Sequence, residues 1–586
     1  MQIELYSTAV WPVCEGNLQI RVRARGGQKD GDVRWRHGKS PKQPARRQLG
    51  WPIMHLFSLV DAPAGLRKQG HLCQILFLVA LQARAALCLA APASECLDSF
   101  LITMLWNRRN GITAAAILVA LATILLLSPY YRTAVNVRAL RPANKVAKTH
   151  HDATTPITTE LVQYFADYPP QPPYKEHFGE LGRRCRVLRD WLVEADASNN
   201  HAVKFALLNA VEETAISQFP FLAKAPRKPE SRTPIADLRS SIKAGSSGIV
   251  IPCGEKTARF AAHLIVSLRN VLGSKLPIQL VYAGEEDLSA ETRTKLSDLK
   301  LKSGPAPEFL DITTVFDDST LDLGNGGWAI KPFAILASRF ERVILLDADA
   351  VFLQRPEVLF RHGAFVKTGT LLFHDRLLWQ HRFVDRHEWW KSQVRRPSAA
   401  LNASLVWTED YAEEGDSGVV VVDKSRLDVL VGLLHICWQN SLAVREEVTY
   451  KLTYGDKESW WLGFELAGSH YQFEKHYGSI VGWEEPDSED RKKVCSFVIA
   501  HVDEKDRLLW YNGSLLKNKQ RVTNGTDAYK VPEKWMIDAT WQKGATKEDM
   551  SCMVGGDIHD LTNLEMGLLA KSIDQAKAID SMFGIV

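Results

Sequence analysis

The chain has 586 residues, 46% of them hydrophobic, enough for one large domain with appendages or for two to three domains. A net charge of +4 over that length gives no sign of nucleic acid as a partner. None of the nine cysteines forms a CxxC pair, which argues against a structural zinc site.

Residues 1–110 form a basic N-terminal region. Arg21-Val-Arg-Ala-Arg25 and the stretch 34–47 are basic, contain Gly and Pro, and lack sustained periodicity. Residues 72–92 are apolar but interrupted by Arg84, which suits a buried helix, a poor second span or a signal-like stretch. Met104-Leu-Trp-Asn-Arg-Arg-Asn110 is read as the start of a cytosolic tail, with 1–103 as an optional or spurious extension.

Residues 111–128 carry no charge. As a helix they span roughly 27 Å, close to the hydrocarbon thickness of a bilayer. Pro129-Tyr-Tyr131 would end the span with aromatic rings at the interface. The alternative is a buried core helix. No small-residue cleavage site follows, so an uncleaved signal anchor is expected. Arg108 and Arg109 precede it, but Arg132, Arg138, Arg141, Lys145 and Lys148 follow, so the charge bias does not favour a lumenal C-terminus. Three glycosylation sequons do, at Asn402, Asn512 and Asn524.

Residues 129–240 read as a stem. Pro169-Pro-Gln-Pro-Pro173 is stiff and extended, and 186–193 and 202–216 have helical spacing. Five cysteines, 185, 253, 437, 495 and 552, lie beyond residue 130. In an oxidising compartment they allow two disulfides and one free thiol, with no pairing readable from sequence.

A catalytic domain is expected over 245–530, followed by a helical tail over 531–586. Gly248-Ile-Val-Ile-Pro252 is a short buried strand, residues 257–272 have an apolar helical face, and 277–282 is a second strand. Strand, helix and strand at this spacing predict a βαβ unit and a parallel sheet. Lys331 to Ser338 is a helix feeding the next strand. That strand, Val343 to Leu346, is a continuous apolar run ending in Asp347 and Asp349. Ligands of open α/β sheets bind beyond the carboxyl ends of the strands. Two hard oxygen donors there can hold Mg²⁺ or Mn²⁺ and leave positions open for a diphosphate. The alternative is a solvated turn.

Further candidates follow the same logic. Residues 370–376 form a strand ending in His374-Asp375-Arg376. Ser417-Gly418 precedes a buried strand and would let backbone approach a ligand, unless it is a plain turn. Asp456 could accept bonds from a sugar hydroxyl or cap the aromatic helix after it. His501, at a strand end, is a candidate third metal ligand or a structural histidine. Lys517-Asn-Lys519 could supply cations for phosphate or form a solvated face. Trp389, Trp390, Trp460 and Trp461 could stack on sugars or fill the core.

Together these pieces resemble the fungal Golgi α-mannosyltransferases of the type II membrane class. The resemblance covers about 248–519 and rests on seven runs in the family's order. They are Leu268-Arg-Asn with Leu276-Pro-Ile, Gly327-Trp-Ala-Ile-Lys-Pro-Phe-Ala, Leu345-Leu-Asp-Ala-Asp-Ala-Val-Phe-Leu, and Thr368-Gly-Thr-Leu-Leu-Phe-His-Asp-Arg. Then come Asp416-Ser-Gly-Val-Val-Val-Val-Asp-Lys, residues 454–468 and residues 509–519. Ala348, Ala350-Val-Phe-Leu353 and Phe373-His-Asp-Arg376 look more like the α-1,3 than the α-1,2 branch. The long stretch before Met104 departs from the family's short tail.

The resemblance implies a GT-A type α/β fold, a mostly parallel Rossmann-like sheet flanked by helices, behind a transmembrane helix and stem. It implies GDP-mannose as donor, Mn²⁺ as cofactor and a mannosylated glycoprotein as acceptor. It further implies a Golgi membrane protein with a lumenal catalytic domain. It carries over Asp347 and Asp349 as the metal and nucleotide-sugar motif, with His501 placed like a late metal ligand. Lys331, Asp375, Ser417, Gly418, Lys457 and Lys517 are expected around the donor, and Asp416 and Asp456 beside the sugar. The donor is an α-glycoside and the product linkage would be α, so configuration is retained. A transferase using another nucleotide sugar, an α-1,2 enzyme, and a non-catalytic glycan-binding protein are the alternatives.

Overall fold

The computed structural model describes residues 154–586, apart from Ala225, Glu230, 520–527, Lys547 and Val586. The basic N-terminal region, Met104, the apolar stretch 111–128 and the sequon at Asn524 lie outside the described residues. Among those described, no single helix is long and apolar enough to cross a membrane.

Three helices come first: α1 (Thr154–Asp167), α2 (Phe178–Ala197) and α3 (His201–Gln218). The helical spacing read at 186–193 and 202–216 falls inside the last two. They do not form a separate stem, as the sequence suggested. The Phe178 ring lies 4.9 Å from Trp438 and 5.0 Å from Trp389. Gly182 has no side chain because the carbonyl of Leu466 would sit 2.5 Å from its Cβ. Arg186 Nη2 donates to that same carbonyl at 2.8 Å. Residues of α2 and α3 belong to the hydrophobic core of the sheet that follows, and His150–Val586 forms one compact unit.

The sheet region runs β1 (Lys243–Pro252), α4 (Glu255–Val266), β2 (Ile278–Tyr282), β3 (Glu308–Asp311), α5 (Ile330–Ala337), β4 (Phe340–Leu346) and β5 (Ala350–Phe352). It continues with β6 (Thr370–His374), β7 (Gly415–Asp423), α6 (Leu427–Gln439), α7 (Lys457–Ala467) and β8 (Gln472–Phe473). Seven strands form one sheet in the order β3-β2-β1-β4-β7-β6-β8. β7 alone runs antiparallel to its neighbours, so the sheet is mostly parallel, as expected. The apolar run ending β4 is fully buried, which suits a strand covered on both faces.

A second region follows. It holds β9 (Ile480–Glu484), β10 (Lys493–Ser496), β11 (Ile499–Val502), β12 (Leu508–Asn512), β13 (Lys534–Met536), β14 (Thr540–Gln542), β15 (Ser551–Val554), β16 (His559–Asp560) and α8 (Asn563–Met582). Six of these strands make an antiparallel sheet, β14-β15-β10-β9-β13-β16. The expected helical tail over 531–586 is therefore helical only in α8. Its first half completes this sheet with strands of two to four residues, too short to show alternation. A disulfide joins Cys495 to Cys552 across β10 and β15, and Cys185, Cys253 and Cys437 are buried thiols. Of the two bridges that five cysteines allow, one is formed and three thiols stay free.

α8 packs on α4, and its residues enter two separate apolar clusters. Asp580 accepts from Arg259 at 2.6 and 2.7 Å and sits 2.8 Å from His263 Nε2, while Ser572 and Ser267 hydroxyls meet at 2.9 Å.

Candidate active site

Topology gathers the acids. Asp347 and Asp349 leave the carboxyl end of β4, and Asp375 leaves the carboxyl end of β6. β7 is antiparallel, so its opening residues lie at that same edge, with Val419 opposite Leu346. This brings Asp416 alongside, and the Asp347 N–H donates to the Gly418 carbonyl at 2.8 Å. After Asp349 the chain changes sheets: β5 pairs with β12, putting Ala350 opposite Asn512. The Asp-Ala-Asp loop therefore spans the seam between two sheets.

Two lysines hold that loop. Lys331, the second residue of α5, is 4% exposed, too closed to reach a ligand. Its Nζ lies 2.7 Å from Asp347 Oδ1 and 3.5 Å from Asp456 Oδ1, and it donates to Ser417 O at 3.2 Å and Ser417 Oγ at 3.1 Å. Burial alone would discharge this ammonium, but Asp347 and Asp456 outweigh it and raise its pKa. Burial raises the Asp347 carboxyl to about 6; Lys331 opposes that, and the like charges of Asp349 and Asp456 add to it. Lys519 pairs with Asp349 and is 36% exposed along its side chain, so it can turn toward a ligand. Lys517, expected around the donor, instead lies 5.4 Å over the Trp483 ring. In an irregular loop two positions of sequence decide which lysine faces the acids.

Several expected roles move inward. Asp456 occupies the start of α7 without capping it. Its Oδ2 accepts from Trp460 Nε1 at 2.8 Å and its Oδ1 from Ser417 Oγ at 3.1 Å, so it is a buried prop for Lys331 rather than a sugar-hydroxyl acceptor. Ser417 is spent in the same network. Gly418 is needed not for a ligand but for packing: a Cβ there would come 2.6 Å from Asn512 Nδ2 and 3.0 Å from the Trp510 ring. Trp389, Trp390, Trp460 and Trp461 are all buried, which removes them as sugar-stacking surfaces. Glu458, also buried, holds the entry to β7 by accepting from Glu414 N at 2.9 Å and Gly415 N at 3.1 Å.

His501, a candidate metal ligand, meets a different acid. Its Nε2 lies 3.0 Å from Asp416 Oδ2 and its ring stacks 4.3 Å over Trp510, so that nitrogen is engaged by an acid other than the Asp-Ala-Asp pair. Asn512 Nδ2 donates to the other oxygen of Asp416 at 3.3 Å, and Gly418 N donates to it at 2.9 Å. Burial disfavours charge on Asp416, but the His501 hydrogen bond and charge, with Lys457, overcome it and hold the carboxyl well below the usual range. Asn512, read as a glycan acceptor, has its amide nitrogen committed to the site. Asn402 is exposed. Glycopeptide mapping of secreted-pathway material is expected to find glycan at Asn402 and none at Asn512. Occupancy at Asn512 would contradict this geometry.

Asp375 and Lys457 do meet, as a buried ion pair joined by Arg376 at 3.2 Å and by Glu413 at 3.8 Å from the lysine. Burial works against both charges. Lys457 and Arg376 nevertheless hold Asp375 below its ordinary value, and Asp375 and Glu413 raise Lys457. Both charges persist at neutral pH. Sequence reasoning missed Glu413 and recorded Arg376 only as a neighbour in a run, whereas Lys519 was already a candidate cation for phosphate.

A divalent cation fits the Asp-Ala-Asp loop with two protein ligands. Lysine engages one oxygen of each carboxylate, and the remaining pair of hard donors repel one another. Among the described residues no three His, Cys, Asp or Glu side chains gather as a metal cage. Ions such as Mg²⁺ are held in this way, by one or two carboxylates plus substrate phosphates.

Residues 246–503 match a protein-family model described as "Mannosyltransferase putative". Alpha-1,3-mannosyltransferase MNT3 of Saccharomyces cerevisiae is 32% identical over 292 residues, covering 44% of this chain and 45% of that protein. Alpha-1,3-mannosyltransferase MNN1 of the same yeast is 28% identical over 328 residues, covering 47% of this chain and 41% of that protein. The chain thus aligns with less than half the length of these relatives, and within that segment the resemblance carried by the motifs is borne out. The solved galactosyltransferase LgtC overlaps 39% of this chain and 72% of its own at 14% identity and a TM-score of 0.25.

Proposed function

We propose that this chain is an α-mannosyltransferase of GT-A type that moves mannose from GDP-mannose to a mannose-terminated glycan, in α-1,3 linkage with retention. The supporting observation is the convergence of Asp347, Asp349, Asp375 and Asp416 at one sheet edge, with lysines against three of the four and His501 against the fourth. The likeness to the yeast α-1,3-mannosyltransferases favours mannose and this linkage. The protein is proposed to work in the Golgi, anchored by residues 111–128 with its catalytic part in the lumen.

Each group then has a task. Asp347 and Asp349 would hold Mn²⁺, which when bound supplies Lewis-acid neutralisation of the departing diphosphate. Lys331 fixes Asp347 in place before any ligand arrives, a preorganisation that spares reorientation during reaction. Lys519 offers a second, mobile positive charge to phosphate oxygens. Asp416, locked as an anion by His501 and Asn512, opposes the positive charge that grows on the sugar ring. Lys457, braced by the buried Asp375, offers a donor to sugar hydroxyls.

The test is transfer by the full-length chain with GDP-mannose, an α-mannoside acceptor and Mn²⁺, repeated with EDTA. The expected result is a longer α-1,3-linked mannoside, formed with metal and lost on chelation. Undiminished transfer in EDTA would remove the metal. Turnover with UDP-sugars but not GDP-mannose would change the donor.

A further inference from the structure

Two large rings stand open at the edge of this site. Trp328 is 46% exposed and Tyr454 is 58% exposed, whereas the four tryptophans weighed as sugar contacts are at most 8% exposed. Adjacent open rings beside charged side chains offer an apolar surface that a ligand can cover. The two ring centroids are 5.2 Å apart at an interplanar angle of 47°. Trp328 lies in the turn that enters α5, one turn before Lys331. Tyr454 stands two residues before Asp456. Lys457 Nζ lies 5.8 Å over the Tyr454 ring and also pairs with Asp375, so one ammonium group links the rings to the sugar side of the site.

The rings are also held in place. Trp328 rests against Tyr450, with centroids 6.5 Å apart. Gly455 has φ +67°, and a Cβ there would come 2.7 Å from the indole, so the backbone of the Tyr454 turn lies directly on the Trp328 ring. Rings fixed from behind and open in front lose little freedom when something stacks on them.

We propose that Trp328 and Tyr454 form a stacking platform for a mannose ring of the acceptor glycan, one or more residues away from the mannose that reacts. This rests on the mannosyltransferase reading and names how that site would choose its acceptor. A pyranose presents an apolar C–H face that suits the negative face of an aromatic ring. Its hydroxyl edge needs charged or polar partners, and Lys457, braced by Asp375, stands beside the platform. A nucleobase would also stack; the Lys457 ammonium over the Tyr454 ring favours the hydroxyl-rich sugar, and the GDP titration below separates the two. The platform would make the enzyme favour acceptors of two or more mannose residues over a single one.

The experiment titrates α-mannotriose, and separately GDP, into the full-length chain and its Trp328→Ala, Trp328→Phe and Tyr454→Ala variants by calorimetry. Trp328→Ala is expected to weaken mannotriose about tenfold, the scale of one lost aromatic contact. Trp328→Phe should recover most of that, Tyr454→Ala should lose less, and GDP affinity should follow none of these changes. Equal mannotriose affinity in all four proteins, or none in the wild type, overturns the platform. A fall in GDP affinity with mannotriose binding intact assigns the rings to the nucleobase and overturns it too. Transfer from GDP-mannose is measured on the same samples. Trp328-dependent mannotriose binding without any transfer keeps the platform and rejects the mannosyltransferase reading.

Discussion

Asp347→Ala and Asp349→Ala are each expected to lower kcat/KM for mannosyl transfer by about a thousandfold, roughly 4 kcal/mol of transition-state stabilisation. The fold should survive both. Without Asp347, the buried Lys331 ammonium keeps Asp456 and both oxygens of Ser417 as partners. Without the Asp349 carboxylate, the backbone carbonyl of that residue still accepts from Ser514 N at 2.7 Å. Steady-state kinetics beside a thermal melt separates the two effects. Near-normal transfer by either variant would remove the carboxylates from the chemistry, while a collapsed melt would make them structural.

Asp580→Ala is expected to cost about 3 kcal/mol of stability, the scale of removing one partner from a buried charge network. It strips Arg259, His263 and Tyr529 of a shared acceptor in a single step. Burial alone would raise the Asp580 pKa. Hydrogen bonds from His263, Arg259 and Tyr529 overcome it and hold the carboxyl well below the ordinary range. A carboxyl depressed in the folded state stabilises fully above its unfolded pKa, near 4, and loses that contribution as pH falls toward the folded value. The gap in stability between wild type and variant should therefore be flat from pH 7 to 5 and shrink below pH 4. Denaturant unfolding at several pH values reads it directly. A gap that grows on acidification would mean that the network is held by something other than the carboxylate.

The strongest features of the site were legible because they depend on one strand. Four apolar residues followed by two acids mark a buried strand ending at a ligand edge, and β4 with its Asp-Ala-Asp loop is there. The parallel sheet followed from the same local reasoning. What could not be read depends on partners far apart in sequence. A strand position puts His501 at an edge but does not say that Asp416, 85 residues earlier, will meet its Nε2. The sequon at Asn512 is a local pattern, blind to the pairing that turns β12 under Asp416. The aromatic helix mixes Trp460 and Trp461 with Lys457, Glu458, Ser459 and Glu465, so its sequence does not announce that both tryptophans are buried. Trp328 gave no signal at all, because a tryptophan in a glycine-rich turn is as easily covered as exposed. The strands of the second sheet, two to five residues each, fall below the length at which alternation speaks.

The clasp of α8 on α4 also bears on how the protein is made. A ribosome delivers the chain from its amino end, and Arg259 and His263 emerge 321 and 317 residues ahead of the Asp580 that completes them. Through most of synthesis α4 exists without its cover, and the apolar residues that α8 will seal stand open. A chain interrupted after the second sheet would carry the whole Asp-Ala-Asp loop and both of its lysines, yet expose that face of α4. Its cluster of acids would be present, and its surface would be the kind that chaperones hold and quality control retains.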